Sequence, residues 1–456
     1  MIATPKPLLR TACAALLLAA LPAGAQVSLD ASFDGDGRRT VSFDLDSAAT
    51  DSARRIFPAA NGGYLVLGQS SKSPGTALTL TRLNPSGQID TSFGSNGRRN
   101  YDVPIPSIVD AVRDSQGRLL FAGTETVGEG TDVFIGRLLA SGEGDASFGF
   151  LGRVRIDLRT QDQVLALAVG PEDRVLAVMR SRANSDLGWL AYAAAVDANG
   201  QNPSSVPITG VPEAGSAAGA WSSGRNALLV GLSQSATTDC AVAVHTVTLS
   251  PSGAGVDLTA AFLGGSTLFN TSNGCTQVRV SAVAAVPGSG AALLAGHRED
   301  PNGTGSGRQH GLLIKVAVGG GLDTSFGSGG RRIEAPAFPS DDLRFHALAF
   351  DAQGRLLVAG ETGNSGTPSS AFVLRRYLTN GTPDSSFNGG SAQIGTSFPA
   401  ANGFDSALAS ARDLRVIGPR ILLAGRSRWT GNTDDDFAIA AFATPDAPLF
   451  ADGFEN

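Results

Sequence analysis

Two acidic segments contain the residues of this sequence that are best suited to bind a metal ion. The segment DGDG at residues 34–37 and the run Asp434, Asp435 and Asp436 each place several carboxylates close together. Ca²⁺ favours such ligands and takes about six to eight oxygens. However, DGDG lacks the later ligands and the terminal Glu of an EF-hand loop, and equivalent segments read GSNG, GFLG or GSGG. We expect solvated turns and no cofactor, with Ca²⁺ at either segment as the alternative.

The histidines and serines form no recognisable catalytic pattern. The histidines show no HxH or HExxH spacing and no Cys-x-x-Cys partner, so they predict no metal centre; they are His245, His297, His310 and His346. The segment GTGSG at residues 303–307 lies in a polar loop, without the buried strand and helix that flank a hydrolase nucleophile. No glycine-rich loop leads into a helix, which argues against a nucleotide site. The sequence therefore predicts no catalytic residue and favours a protein that is not an enzyme.

The elements that must position these residues belong to a repeat marked by the motif D-x-S-F-G-x-x-G-R. Clear copies begin at Asp90, Asp145 and Asp323, looser ones at Asp30 and Asp384, a worn one at Asp257, and near Pro203 only the preceding turn DANG survives. A fixed period near 60 residues is typical of stacked or ring-shaped repeat folds. Because an active site needs to occur only once, a motif present in nearly every unit indicates architecture.

Each unit has the pattern of four short strands and no helical periodicity. In the first unit these strands cover residues 38–45, 53–59, 64–69 and 77–84, with a tight Asn-Gly turn at residues 61–62. The third strand recurs as LLFAG, LLVAG or ILLAG, and it is counted seven times. The prediction is an all-β fold, a seven-bladed β-propeller of four-stranded antiparallel blades; a β-solenoid is the alternative. The strand at 38–45 either opens the first blade or closes the last.

Loops of variable sequence are expected on one face of this propeller. Strand direction alternates, so the loops between the first and second and between the third and fourth strands share a face, and the motif lies on the other. We expect the motif to lead from the outer edge of one blade to the interior of the next. Variable loops on a rigid scaffold are a usual place for recognition, and the candidate contacts are Arg308, Trp429, Asp434 and Asp435.

Two cysteines of the predicted mature chain fall at this variable-loop end. Cys240 begins a fourth strand and Cys275 precedes a second strand in the adjacent unit. An even pair of cysteines in an exported protein predicts a disulfide. Two buried free thiols are the alternative.

The repeat resembles the delta-60 repeat family. The family pattern is matched by LDTSFGSGG from Leu322, AQGRLLVAGE from Ala352 and FVLRRYLTNGTPD from Phe372. The resemblance covers the mature chain apart from worn units between about 197 and 275. It implies an exported, propeller-like protein, and it brings no catalytic residues.

The chain ends indicate export. Residues 1–25 combine Lys6 and Arg10, a short apolar run and the small residues 23–25, which predicts a signal peptide cleaved near Ala25. A single domain would then cover residues 26–445, followed by a tail at 446–456 that is either a sorting tag or a plain terminus. We expect a periplasmic, cell-surface or extracellular location and no membrane span.

The net charge of the chain restricts the classes of partner that it is expected to bind. Removing Lys6 and Arg10 with the signal takes the net charge from −6 to −8, which argues against nucleic acid. We therefore predict a binding or scaffold module for a protein or glycan. The first alternative is a propeller enzyme, a lyase or glycoside hydrolase acting on extracellular polysaccharide, and the second is a passive surface component.

Overall fold

Short strands make up nearly all of the secondary structure in the computed structural model. It describes residues 26–45, 50–73, 75–103, 105–209, 215–235, 240–252, 255–269, 277–299, 307–364, 369–399, 406–429 and 434–443. Two single 3₁₀ turns, Pro171–Asp173 and Ser223–Arg225, interrupt the strands. These described residues include no helix with the length and apolar character that crossing a bilayer requires.

The strands of the N-terminal half follow the predicted four-strand units. They are β1 (Ser28–Leu29), β2 (Arg38–Val41), β3 (Asp51–Pro58), β4 (Tyr64–Lys72), β5 (Gly75–Leu83), β6 (Arg98–Val103), β7 (Ile108–Arg113), β8 (Leu119–Val127), β9 (Gly130–Leu138), β10 (Arg153–Ile156), β11 (Gln161–Val169), β12 (Val175–Arg182), β13 (Leu190–Val196) and β14 (Ser204–Ile208).

The strands of the C-terminal half continue the same order. They are β15 (Ser216–Ser222), β16 (Ala227–Ser235), β17 (Cys240–Ser252), β18 (Gly255–Phe269), β19 (Val278–Ala285), β20 (Ala292–Glu299), β21 (Gln309–Val316), β22 (Arg331–Glu334), β23 (Asp341–Phe350), β24 (Leu356–Asn364), β25 (Ser369–Tyr377), β26 (Gln393–Thr396), β27 (Ser406–Ile417), β28 (Arg420–Trp429) and β29 (Asp435–Ala443).

In the described part of the chain these strands form six sheets of an all-β propeller. Five sheets are separate blades built on four antiparallel strands: β3–β6, β15–β18, β19–β22, β23–β26 and the order β27-β28-β29-β1. The sixth has eight strands, because Thr131 of β9 pairs in parallel with Gln161 of β11 and so joins β7–β10 to β11–β14. The prediction of seven separate four-stranded blades is therefore wrong. The sequence repeat indicates the number of units. It does not show the hydrogen bonds that join two of these units into one sheet.

The first strand of each unit lies innermost and borders a central channel. These strands contact one another in the order β3, β7, β11, β15, β19, β23, β27 and back to β3. Buried apolar side chains fill the interfaces between neighbours; Phe57 and Leu67, for example, pack with Ile108 and Phe121 of the following unit. The ring is closed, which excludes the β-solenoid.

The ring closes between the two ends of the described chain. Strand β2 pairs antiparallel with β29, with Arg39 opposite Ile439 and Val41 opposite Phe437. Beyond β2 the ring of Phe43 packs on Phe437 with 5.0 Å between centroids. The strand predicted at 38–45 therefore completes the last sheet rather than opening the first.

The recurrent D-x-S-F-G motif is a scaffold element, as predicted. Its aspartate accepts a hydrogen bond of 2.9–3.1 Å from the backbone N–H two residues later. The same carboxylate pairs at 2.5–3.0 Å with a basic side chain of its own sheet: Asp30 with Arg420, Asp90 with Arg82, Asp145 with Arg137, Asp323 with Lys315 and Asp384 with Arg376. In the copies at Asp90, Asp145, Asp323 and Asp384 the motif connects the third strand of a unit to its outermost strand, so the expected path to the next blade is wrong. The copy at Asp30 lies between β1 and β2, which both pair with β29. The worn copy at Asp257 lies inside β18.

The phenylalanine of the motif locks one unit to the next. Phe148 is wholly buried, and a Cβ atom placed on Gly200 of the following unit would lie 2.9 Å from its ring. Gly200 also has a φ of +74°, which favours glycine. This double requirement explains why the turn DANG survives where the rest of the motif is lost.

Candidate functional site

Bulges in the inner strands bring polar side chains to the channel. A β-bulge adds one residue to one strand of a pair and re-aims the side chains around it. The register shifts between Ala53 and Arg55 in β3 and between Ala411 and Asp413 in β27, with similar shifts in β7, β11, β19 and β23. The additional residues at these shifts all line the central cavity: Arg54, Val109, Leu165, Ser281, His346 and Arg412.

The repeated LLxAG sequence or a variant of it accommodates five of these six bulges; the sixth, in β11, lies opposite Met179 instead. Its glycine faces the bulged strand, and a Cβ atom on Gly360 would lie only 1.9 Å from the carbonyl oxygen of Arg344. The same 1.9 Å approach occurs between Gly425 and the carbonyl oxygen of Ser410. A side chain at either glycine would push the bulge away. The glycine of LLxAG therefore helps to determine where the channel residues lie.

The central cavity has a volume of about 1550 Å³ and two chemically different walls. One wall, here called the charged arc, comes from β23, β27, β3 and β7 and consists of Arg54, Arg55, Asp110, His346, Arg412 and Asp413. The opposite wall, here called the apolar arc, comes from β11, β15 and β19 and consists mainly of small apolar residues at 165–169, 217–221 and 282–286. The lining continues to the turns at Gly62, Gly224, Gly288 and Gly418.

Part of the charged arc is internally neutralised. Arg55 donates to Asp110 Oδ1 at 2.5 Å and lies 3.9 Å from Asp413 Oδ1. Each carboxylate also accepts a backbone N–H from the next inner strand, Asp110 from Leu167 at 2.8 Å and Asp413 from Ile56 at 2.9 Å. These aspartates therefore fasten neighbouring inner strands together.

Arg54 and Arg412 add positive charge beside the network of Arg55, Asp110 and Asp413. Burial lowers the pKa of Arg54 to about 10, and the nearby cations Arg412, Arg55 and Arg426 add to the shift. Burial also lowers the pKa of Arg412, with Glu361 opposing the change. Arg54 Nε is buried and has no hydrogen-bond partner among the described residues. Both guanidinium groups are half-buried on one wall, and the charge of Arg412 disfavours the charged form of Arg54, so a bound anion would stabilise them.

Two histidines and a carboxylate gather behind the bulge of β23. The rings of His297 and His346 lie 6.0 Å apart, and His346 Nε2 lies 3.7 Å from Glu361 Oε1. Glu361 also accepts from Arg344 at 2.9 Å. Burial works against ionisation of Glu361, yet His346 and Arg412 hold its pKa below the ordinary value. Burial, followed by the charge of Arg412, lowers the pKa of His346, so its imidazole is neutral at pH 7.

Burial of His297 predicts acid sensitivity. Burial, together with the neighbouring His346 imidazole, lowers the pKa of His297 to about 3, below its unfolded value near 6.5. The unfolded chain therefore binds the proton first, and stability present above pH 6.5 is lost as the pH falls toward 3. We expect His297→Gln to reduce the slope of unfolding free energy against pH by about 1.4 kcal/mol per unit between pH 6 and 4. Denaturant titrations check this; an equal slope in both proteins would contradict it, and above pH 7.5 the slopes serve as the control.

The residues predicted as binding contacts lie apart from the cavity. Asp435 is buried and accepts from Arg426 at 2.7 Å and Arg428 at 2.6 Å. Trp429 Nε1 donates to Asp436 Oδ2 at 3.2 Å, and burial raises the pKa of Asp434 to about 6, helped by the charge of Asp436. These groups form one cluster on the last sheet.

The other predicted site residues do not join that cluster. Arg308 lies immediately before β21, on a different sheet. Cys240 begins β17, but its side chain and Cys275 lie outside the described residues, so the disulfide stays a prediction. The channel residues were missed because no short sequence motif joins them. The available signal was a charged or histidine residue two positions before the end of SARRI, RFHAL or SARDL, opposite the glycine of LLxAG or its variant.

The comparisons with known proteins concern the repeat architecture. A family model described as "Domain of unknown function (DUF5122) beta-propeller" matches residues 59–93 and 353–387, which supports a β-propeller repeat family. No curated protein matches the sequence.

Several solved structures have a partly similar backbone path at low sequence identity. The polysaccharide lyase Uly1 gives a TM-score of 0.46 at 9% identity, covering 86% of this chain and 90% of that chain. Prolyl oligopeptidase B from Galerina marginata gives 0.44 at 11%, covering 87% and 51%. The α-L-arabinofuranosidase arb93a from Fusarium graminearum gives 0.41 at 11%, covering 73% and 92%.

Proposed function

We propose that this chain is an exported binding protein, without catalytic activity, that takes an acidic oligosaccharide into its central channel. The observation that carries the proposal is the pair Arg54 and Arg412, two half-buried cations on the wall of an open cavity, where the charge of Arg412 lowers the pKa of Arg54. A carboxylate or sulfate between them would offset this effect and accept charge-assisted hydrogen bonds.

The rest of the cavity suits a sugar chain. Its volume of about 1550 Å³ exceeds the roughly 300–1,000 Å³ of small-molecule pockets, so several sugar units fit. The apolar arc offers small side chains and Trp221 to the apolar face of a sugar ring. An acidic group would then face the charged arc while the ring packs on the opposite wall.

A matched pair of ligands tests this function. We expect the mature chain to bind oligogalacturonates and to bind the corresponding neutral galacto-oligosaccharides at least ten-fold more weakly, since only the former bring carboxylates to Arg54 and Arg412. Calorimetric titration at two salt concentrations measures both affinities. Equal affinity for the two ligands, or binding of neither, would refute the proposal.

A second candidate function rests on the cluster of His346, Glu361 and His297. A neutral imidazole beside a cavity that attracts acidic sugars has the character of a general base, so a polysaccharide lyase is the enzymatic alternative. A glycoside hydrolase fits less well because Asp110 and Asp413 are engaged by Arg55 and by backbone N–H groups. Formation of unsaturated sugar products by the wild type, and its loss in His346→Ala, would favour the lyase over the binding protein.

Several narrower assignments belong to the same proposal. The chain would be a delta-60 repeat protein whose residues 1–25 direct export, with cleavage near Ala25. Cys240 and Cys275 would form a disulfide in the oxidising compartment. The surface around Arg308 and Trp429 would contact a protein partner. Mass spectrometry of unreduced peptides tests the disulfide directly.

A further inference from the structure

Two clusters of three aspartates occupy equivalent places in the propeller. In each cluster one residue begins the third strand of a unit, one lies in the connection to the next inner strand, and one lies at the start of that inner strand. Within each cluster one oxygen of every residue lies within 4.8 Å of the others. The clusters are Asp44, Asp51 and Asp436, and Asp132, Asp157 and Asp162.

Both clusters lie where neighbouring units are joined by a parallel pair. Thr50, beside Asp51, bridges to Asp435, beside Asp436. Gln161, beside Asp162, pairs in the same way with Thr131, beside Asp132. The first junction closes the ring, and the second merges the eight-stranded sheet. The recurrence of the carboxylates at both junctions ties them to a common local architecture.

Each cluster contains a buried carboxylate with one oxygen that has no hydrogen-bond partner among the described residues. Asp51 and Asp162 are both 0% exposed. One oxygen of each is satisfied, since Phe43 N donates to Asp51 Oδ2 at 2.6 Å and Leu158 N donates to Asp162 Oδ2 at 2.6 Å. The other oxygen, Oδ1 in both residues, has no hydrogen-bond partner among the described residues. Leaving such an atom buried and unmatched is costly, so its presence at both places indicates a missing ligand.

We propose that each cluster binds one calcium ion, which bridges the two units that meet there. Calcium contacts oxygens at about 2.3–2.6 Å, so two of its ligands lie at most about 5 Å apart; the oxygens here satisfy that limit at 4.8 Å. The donors are all carboxylates, which suit a hard cation and offer no nitrogen or sulfur to zinc. Water and backbone carbonyls would complete the shell.

A neighbouring arginine distinguishes the two clusters. Arg155 Nε lies 3.3 Å from Asp132 Oδ2 and would compete with an ion at the second cluster. We therefore expect the first cluster to be the tighter site.

The acidic turn at residues 34–37 is different from both clusters. Its carboxylates are committed to arginines, with Asp34 2.9 Å from Arg39 and Asp36 3.0 Å from Arg38. The turn is therefore a matched place for a control substitution and is not a candidate site.

Calcium titration of the mature chain tests the two sites. In metal-free buffer, calorimetry should give two calcium ions per wild-type chain, one per chain for Asp51→Asn or Asp162→Asn, and none for the double variant. Asp36→Asn, which removes the same charge, should still bind two. Terbium in the first site should also be sensitised by Trp429, whose indole is bonded to Asp436, and this emission should be lost in Asp51→Asn and kept in Asp162→Asn.

Thermal unfolding separates loss of a site from loss of the fold. Because Asp51 repels its neighbours when no ion is bound, Asp51→Asn in chelator should unfold at the wild-type temperature or above, while added calcium should raise its midpoint less than that of the wild type. A wild type that binds no calcium, or single variants that still bind two ions, would overturn the proposal.

Discussion

Replacing Arg137 with alanine is expected to cost about 3–5 kcal/mol of unfolding free energy, because it leaves the carboxylate of Asp145 buried without its cation. Arg137 and Asp145 are 3% and 6% exposed, and Arg137 Nε donates to Asp145 Oδ2 at 2.7 Å. The guanidinium also lies 4.5 Å above the ring of Phe148, the residue that locks this unit to the next. Chemical denaturation of the two proteins measures the difference.

The repeat supplies a matched control for this prediction. Arg82 pairs with Asp90 at the same position of an earlier unit, but the two side chains are 27% and 18% exposed. Water can therefore solvate Asp90 after Arg82→Ala, and we expect a loss of about 1 kcal/mol or less. A double variant, Arg137→Met with Asp145→Asn, should recover part of the loss. Equal losses for Arg82→Ala and Arg137→Ala would show that burial does not determine how much this ion pair contributes to the free energy of unfolding.

Gly360→Ala is expected to lower the unfolding free energy by about 2–3 kcal/mol, as overpacking does in a close-packed interior. The new Cβ atom would lie 1.9 Å from the carbonyl oxygen of Arg344 and 3.0 Å from Cα of Phe345. Both neighbours are backbone atoms, so the bulge that carries His346 has to move. Thermal and chemical unfolding measure the loss.

Gly75→Ala is the control for the glycine. Gly75 begins β5, and a Cβ atom there meets nothing within 4 Å, so we expect a change within about 0.5 kcal/mol. If Gly360→Ala were as mild as Gly75→Ala, the LLxAG glycine would not be required by the bulge, and its recurrence would need another cause.

The repeat predicts local structure well because each strand and turn depends on residues that are neighbours in the sequence. The Asn-Gly turn at residues 61–62 and the apolar run from Tyr64 correspond to a turn and a strand of the fold, and the alternation at 38–45 corresponds to a strand over its first half, Arg38–Val41. The scaffold role of D-x-S-F-G also follows from residue types, since Asp favours a turn that bonds its own backbone.

Features that depend on contacts between units could not be read in the same way. The pairing of Thr131 with Gln161, which merges two units into one sheet, depends on the fit of their backbones. Arg54, His346 and Arg412 reach one wall only because each lies at a bulge. Asp44 and Asp436 lie far apart in sequence and meet only because the ring closes.

If the charged arc binds an anion, the variant Arg412→Gln should have a lower affinity than the wild type for an acidic oligosaccharide. Removing one charged donor from a buried contact costs about 1.5–3 kcal/mol, which is about 10- to 100-fold in dissociation constant. The matched control is Arg153→Gln, an exposed arginine at the start of β10, and its affinity should equal that of the wild type. We expect oligogalacturonate binding to weaken in Arg412→Gln alone, with the unfolding midpoint of this variant unchanged or raised. Equal affinities in all three proteins would contradict this expectation.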